Sequence, residues 1–456
     1  MNGFSAVLGN PPFLGGTKIS SSYGSELLEF LKNNYDGPGN RCDLAGYFVQ
    51  KFYQITSENQ FCSMIGPDSL AEGDTRRGGL LVNIKENGKI TDAIKRVPWQ
   101  GDAAVMVSLV TFCKGQYSHQ ITLDGEVVSS ISAMLRKGVI HDSPEPLDEN
   151  AGMYSEGFKP YGQGFIFDDN DEKANPHFEK STIIRSHPES KEVIKKYISG
   201  RELNNNPDFN SKREIIDFGE MTLQEANKYP QLFQIVQSKV EPERATKSLA
   251  VQKAPYWLFY SNRPLIREFA RGHEKFLINS RVSKHLNFVF VATDVIPSEA
   301  ITVHLRESIH EFGVLQSYIH EAWVRFFCST MKGDLRYSTK DGLLTFPFAE
   351  RSDNLDDTAK SLYEYRSEVL LSQEIGLTEL YNMFHDPENT KQEIVKLREL
   401  HNKLDNAVLL AYGWNDIRIQ REFVATEYGL RYEPNINIKN KIIARLFALN
   451  QHKSGK

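Results

Sequence analysis

Asn10, Pro11, Pro12 and Phe13 are the residues whose types and order point most directly to chemistry. They follow an apolar run, Phe4–Gly9, that reads as a short buried strand. Proline fixes its own φ and pushes the residue before it into extended geometry, so Asn10 is held out straight at the strand's end. The Asn10 side-chain oxygen and the Pro11 carbonyl can then face one point as fixed acceptors. Such a pair suits an exocyclic NH₂ group, which offers two donors. With both hydrogens held, the nitrogen lone pair is turned outward, toward an electrophile. Phe13 can stack on the flat heterocycle that carries the amine. In a duplex that amine is buried in base pairing, so the base must swing out to be reached. Asn-Pro and Pro-Pro also mark ordinary turns. What sharpens the chemical reading is position, since α/β sheets hold their ligands at the carboxyl ends of strands.

A second pattern lies in residues 244–285, with nine Lys and Arg against two acids, Glu268 and Glu274. Residues 1–149 instead carry 13 basic against 17 acidic residues, and the whole chain has a net charge of −5. Within the stripe Tyr256, Trp257, Phe259 and Tyr260 interleave with Lys253, Arg263, Arg267, Arg271, Arg281 and Lys284. Guanidinium groups beside rings suit contacts to phosphate and guanine; the plainer reading is a solvated helix face. Arg263, Arg267 and Arg271 stand at helical spacing and would form one cationic ridge on a helix. Arg336, in DLRYS, is a further candidate for DNA contact. Most such groups position a nucleic-acid backbone, and a few read bases.

The elements that must place these residues change character along the chain. The first 125 residues alternate strand and helix signals, as parallel α/β sheets do. Leu44, Tyr47, Phe48, Phe52 and Ile55 mark one helix face. Phe61–Gly66 reads as the next buried strand, closed by Pro67, and a helix runs through Leu80–Ile84. Lys89–Val97 and Ala104–Phe112, with no helix between them, predict an antiparallel pair at one edge of the sheet. From Asn150 the alternation gives way to glycine-punctuated aromatic loops and short β runs such as Phe288–Thr293. Beyond Arg351 the pattern is helical, with Leu400, Leu404, Val408 and Ala411 on one face and Gly413 as a stop.

Composition excludes several classes. Hydrophobic content of 40% and charged content of 25% are those of an ordinary globular chain. No apolar run approaches the roughly 20 residues of a membrane span, and no secretory leader is expected. The cysteines Cys42, Cys62, Cys113 and Cys328 stand far apart, which argues against a zinc site or disulfide framework and fits a reducing cytoplasm. His310 and His320 are too widely spaced for a zinc helix, and the E-x-K of His187–Lys191 lacks an upstream Asp. No metal site is expected.

NPPF resembles the catalytic motif of DNA amino-methyltransferases, which use S-adenosylmethionine. Arg41–Phe52, Ser63–Leu80 and Ala104–Gly115 are similar to the helix, strand-loop and late antiparallel strand that follow it in that family. SGRELNNNPDF, REIIDFG, DLRYSTKDGLLTFPFAE and YNMFHDPE are similar to the recognition and C-terminal parts of large type II restriction–modification enzymes. The resemblance implies catalytic roles for Asn10, Pro11, Pro12 and Phe13. It further implies double-stranded DNA as partner and S-adenosylmethionine as cofactor. The fold class expected is α/β. A partial Rossmann-like class I methyltransferase sheet over 1–149 precedes an α+β target-recognition domain over 150–350 and a helical region over 351–456.

Asn at the first motif position favours adenine-N6 over cytosine-N4. No cysteine follows a proline, as cytosine-C5 enzymes need. Protein-glutamine and ribosomal methyltransferases share NPP-aromatic but are compact relatives without so long a loop-rich insert. The glycine-rich cofactor turn is not found, and cofactor-binding residues remain unassigned. The sheet therefore reads as beginning at the family's fourth strand, with Phe4–Gly9 as an open apolar edge. A separately encoded N-terminal half is the partner this implies. The other reading is a truncated specificity fragment that only binds DNA.

Overall fold

The computed structural model describes residues 3–37, 39–99, 105–138, 143–331, 333–426 and 429–455. The chain divides into two compact units, residues 1–143 and 144–456.

The first unit is built on a six-stranded mixed sheet of order β1-β2-β4-β3-β5-β6. Its strands are β1 (Phe4–Gly9), β2 (Thr56–Pro67), β3 (Gly88–Pro98), β4 (Met106–Lys114), β5 (Ile121–Leu123) and β6 (Glu126–Val128). β1 runs parallel to β2, with Gly9 opposite Met64; β4 runs antiparallel to both of its neighbours, β2 and β3. The helices are α1 (Gly16–Tyr23), α2 (Ser25–Asn34), α3 (Leu44–Ile55), α4 (Gly73–Arg77) and α5 (Leu80–Lys85). α3 forms where the apolar spacing predicts it, and Asp43 caps it by accepting from the Ala45 amide at 2.9 Å. Its buried face, Ala45, Val49 and Tyr53, packs with Met64, Leu80, Ile90, Val110 and Phe112 into one core.

Two expectations need correction here. Phe4–Gly9 is a strand but not a buried one: Phe4 and Leu8 are 63% and 78% exposed. Among the described residues no strand pairs with its outer side, so it is the open apolar edge that the sequence also suggested. The antiparallel pair β3–β4 is not at the sheet's margin. β4 lies between β2 and β3, and the hairpin β5–β6 forms that edge instead. Ala104, where the second of these strands was expected to start, lies outside the described residues.

The second unit mixes short strands and helices before becoming helical. One sheet has order β14-β9-β10-β8 and another β13-β11-β15-β7. Their strands are β7 (Tyr154–Glu156), β8 (Ile166–Phe167), β9 (Ile194–Ile198), β10 (Glu214–Ile216), β11 (Lys275–Ser280), β13 (Val289–Ala292), β14 (Ile296–Pro297) and β15 (Ile301–His304). A small third sheet, β12-β17-β16, joins β12 (Val282–Ser283), β16 (Ser329–Met331) and β17 (Asp334–Arg336). Helices α6 (His177–Ser186), α7 (Gly200–Asn205), α8 (Leu223–Ala226), α9 (Pro230–Ala245), α10 (Leu249–Lys253) and α11 (Pro264–Ala270) surround them. After α12 (Ile309–Gln316) and α13 (Tyr318–Phe327) come α14 (Asp353–Gln373), α15 (Leu377–Phe384), α16 (Gln392–Ala411) and α17 (Ile436–Lys453). A hairpin of β18 (Glu422–Thr426) and β19 (Gly429–Glu433) precedes α17. Residues 351–456 cluster with 144–350 in this one unit.

Buried ion pairs tie the chain around β18 and β19 to α13 and α16. Arg421 clamps Asp405 at 2.7 and 3.1 Å, and Glu321 accepts from Arg325 at 2.7 Å and from Arg431 at 2.8 Å. Among the described residues no helix is long and apolar enough to cross a membrane.

Candidate catalytic motif and nucleic-acid groove

Asn10 stands directly after β1, at the carboxyl end of a strand whose neighbour runs the same way. Asn10 and Pro12 are exposed, Pro11 is buried, and Phe13 is half-buried against the core of the first unit. The turn is fixed from both sides. Before it, Gly9 lies so close to α3 that a Cβ there would fall 2.5 Å from the Phe52 ring. A side chain at position 9 would have to displace the Phe52 ring. After it, Asp43 Oδ1 accepts from the Leu14 amide at 3.2 Å as well as capping α3, and the Leu44 amide donates to the Leu14 carbonyl at 3.0 Å. Burial raises the Asp43 carboxyl above its usual range, although both amides favour its charged form. The motif is therefore an exposed amide and a proline step on a pinned backbone.

Gly15–Gly16 is the glycine pair nearest the motif, between β1 and α1. A Cβ on Gly16 would meet the Cys42 carbonyl at 2.5 Å, so the start of α1 packs backbone to backbone against the segment that leads into α3. Among the described residues, no group of His, Cys, Asp or Glu is arranged to hold a metal ion. All four cysteines are free and buried, and burial pushes the Cys42 thiol up to about 12 and Cys62 to about 11. Neither is a nucleophile at neutral pH.

In the second unit the basic stripe separates into two populations. Arg263, Arg267 and Arg271 do flank and enter a helix, α11, but they do not form a free ridge. Arg263 sits in a left-handed conformation at its start and donates to Gly157 O at 3.0 Å and Glu156 Oε2 at 3.1 Å. Arg267 is clamped by Asp217 at 2.9 and 2.7 Å and by Asn262. Arg271 reaches the exposed Glu220 at 2.6 Å. Each cation meets an acid from a distant stretch of chain, which no local charge count could show. Arg244 is buried and donates to the carbonyls of Pro160, Tyr161, Pro255 and Leu258. The interleaved rings are mostly packing: Phe259 is buried against Phe158 and Phe165, and Trp257 donates to Met221 O. Lys253, at the end of α10, is exposed.

The other three predicted residues come together. Arg281, Lys284 and Arg336 line one open groove of about 670 Å³. The β12–β17 ladder gathers them, because Val282 pairs with Arg336 and the Tyr337 amide donates to Arg281 O at 2.8 Å. Arg281 is partly committed, with Glu156 Oε1 at 2.9 Å. Lys284 and Arg336 are exposed. The same groove is lined by Arg201, Asn204 and Asn205 of α7, by Glu299, by Asp334 and by Thr378. Sequence reading missed these. SGRELNNN offered a signal, a capping Ser-x-x-Glu that starts a helix with an arginine and asparagines in it. The lining has four basic and two acidic side chains plus amides, a donor-rich surface that suits phosphates and base edges.

Comparison with known proteins follows the same division. Residues 1–94 match the model of the Eco57I restriction-modification methylase, and residues 136–350 that of the MmeI target recognition domain. DNA methyltransferase A of Bacillus subtilis (strain 168) is 23% identical over 444 residues, covering 93% of this chain and 46% of that protein. The solved structure of the Type IIL restriction-modification enzyme MmeI in complex with DNA is similar with a TM-score of 0.73 and 21% identity, covering 99% of this chain and 57% of that one. At that identity the likeness is one of fold. The chain spans about half the length of these relatives. Its two matched segments are thus similar, in order, to part of a restriction-modification methylase and to a target recognition domain.

Proposed function

We propose that the chain is the catalytic-motif and target-recognition portion of a DNA methyltransferase that modifies the N6 amine of adenine within a restriction–modification system. The observation that carries this reading is Asn10-Pro11-Pro12-Phe13 on a pinned turn at the carboxyl end of β1, inside the segment matching a methylase. In this reading the Asn10 oxygen and the Pro11 carbonyl accept the two amine hydrogens of an extruded adenine, and Phe13 stacks on its ring. S-adenosylmethionine is the methyl donor implied by the methyltransferase relatives. In this reading the described residues present the amine, and a further part of the sheet holds the donor. We take the sheet to be completed by a Rossmann-like donor-binding part, in the same polypeptide or in a separate one, against the open side of β1. The groove of the second unit, with Arg201, Arg281, Lys284 and Arg336, is the duplex-DNA surface of this reading.

Labelled S-adenosylmethionine and duplex DNA, incubated with this chain and the donor-binding part, should yield N6-methyladenine on mass spectrometry of the hydrolysed DNA. N4-methylcytosine, or label in protein, would sink the adenine assignment. The match of residues 136–350 to a target recognition domain is also compatible with a second reading, a DNA-binding specificity fragment without activity of its own. Specific DNA binding with no transfer, even with the donor-binding part supplied, favours that one.

A further inference from the structure

We propose that α15, which lies beyond the residues matching the recognition-domain model, forms one wall of the groove, and that Asn382 on it is a positioning residue for Lys284. This rests on the reading of the groove as a duplex-DNA surface. Three observations converge on it.

First, Lys284 Nζ donates to Asn382 Oδ1 at 2.7 Å, and His285 Nε2 lies 3.0 Å from the same oxygen. Facing an acceptor, the imidazole carries its proton on Nε2 and donates as well. His285 is buried and stacked on His385 at 5.1 Å, and His385 Nδ1 in turn accepts from the Tyr432 amide at 3.0 Å. Burial pushes the His285 pKa down to about 3, so the ring stays a neutral donor throughout the physiological range. The amide of Asn382 is thereby oriented from behind.

Second, the start of α15 is fitted onto α7. A Cβ on Gly376, the residue before α15, would fall 2.4 Å from Asn205 Cα and 2.6 Å from Asn204 O. The helix that carries Asn382 and the helix that carries Arg201 therefore touch backbone to backbone. Third, Thr378, one turn before Asn382, lines the groove itself.

The choice of side chain is informative. Lysine loses much rotamer freedom when it binds, and a hydrogen bond that selects its rotamer in advance reduces that loss. A carboxylate at 382 would do the same but would neutralise the ammonium. A neutral amide holds Lys284 in place and leaves its full charge, with two further donors, for an anionic or acceptor-rich ligand. That is the chemistry of a DNA phosphate or a guanine edge.

The test uses the full chain carrying Asn382→Ala, Asn382→Asp, Lys284→Ala, Arg336→Ala or the double change Lys284→Ala/Asn382→Ala. Fluorescence anisotropy with a labelled duplex of random sequence, at several salt concentrations, gives affinity and salt slope, and circular dichroism confirms that each variant is folded. Asn382→Ala should weaken binding about fivefold, with the double variant no weaker than Lys284→Ala alone, since the amide acts through the lysine. Asn382→Asp should lower the magnitude of the salt slope by about 0.9, the loss of one phosphate contact, without truncating the lysine. Effects of Asn382→Ala and Lys284→Ala that multiply would overturn the positioning role. So would wild-type binding by both Asn382 variants while Lys284→Ala and Arg336→Ala weaken it. If Lys284→Ala and Arg336→Ala both bind like wild type, the groove is not the DNA surface, and the proposal falls with that reading.

Discussion

The proposed catalytic motif and the proposed DNA groove are built in opposite ways. Asn10–Phe13 is four consecutive residues, aligned by one strand and pinned by one aspartate. The groove takes its side chains from α7, from both ends of β12, from the loop at Glu299, from β17 and from α15, spread over residues 199–378. A site that must hold one small planar group can be local, because two rigid acceptors and a ring suffice. A surface that meets a duplex must be wide, and width requires several segments. The two populations of arginine in the second unit sharpen this contrast. Arg267 looks like a ligand-binding cation in sequence and is a partly buried clamp; Arg336 looks much the same and is exposed on the groove.

The largest expected effect breaks the local site alone. With the donor-binding part supplied, Asn10→Ala should reduce methyl transfer by about 10²–10³-fold, as when one preorganised hydrogen-bonding group is removed from a reacting centre. Duplex affinity should stay within twofold or so of wild type, because the amide acts on the extruded base. Transfer at the wild-type rate would remove Asn10 from the chemistry.

Next is the clamp. Asp217→Ala leaves the largely buried Arg267 guanidinium without its carboxylate, which should cost the second unit about 3 kcal/mol in urea unfolding. Arg271→Ala, whose partner Glu220 is half exposed, should cost about 0.5 kcal/mol or less. Equal losses would mean that the arginines along α11 are one surface feature after all.

A smaller effect distinguishes the groove from α11 in DNA binding. Arg201→Ala with Arg336→Ala should reduce the magnitude of the salt slope by roughly 1.8, about 0.9 for each phosphate contact. Arg271→Ala should leave the slope unchanged. A slope that responds to Arg271 and not to the groove pair would move the DNA surface to α11.

The last effect is on pH. Because folding depresses the His285 pKa from 6.5 to about 3, its contribution to stability is complete above pH 6.5 and is lost as pH falls toward 3, where the unfolded chain takes up the proton first. His285→Gln should flatten this decline between pH 6.5 and 5 in urea midpoints. An unchanged slope would show that His285 is not what the acid limb reports.

Much of the first unit was legible because its signals are local. α3 falls where Leu44, Tyr47 and Phe52 predict it, and β2 and α5 lie where their apolar runs do. Strand neighbours were not legible: nothing in residues 89–112 says that β4 inserts beside β2 or that β5–β6 closes the edge, because pairing is decided by the whole sheet. In the second unit nothing in the sequence showed that Arg281, Lys284 and Arg336 share one groove with Arg201, Asp334 and Thr378, since no spacing links residues so far apart.

By itself the sequence determined the motif, its place at a strand end, the shift from alternating to helical pattern and the presence of a local excess of positive charge. Each of these depends on residues within a few positions of one another. Tertiary structure decided which charges are available. Glu156 lies 107 residues before Arg263 and Asp217 lies 50 before Arg267, yet both meet their arginines, while Arg336 is left exposed beside Val282. The physical reason is that an ion pair depends on distance in space, and only the packed chain sets that distance.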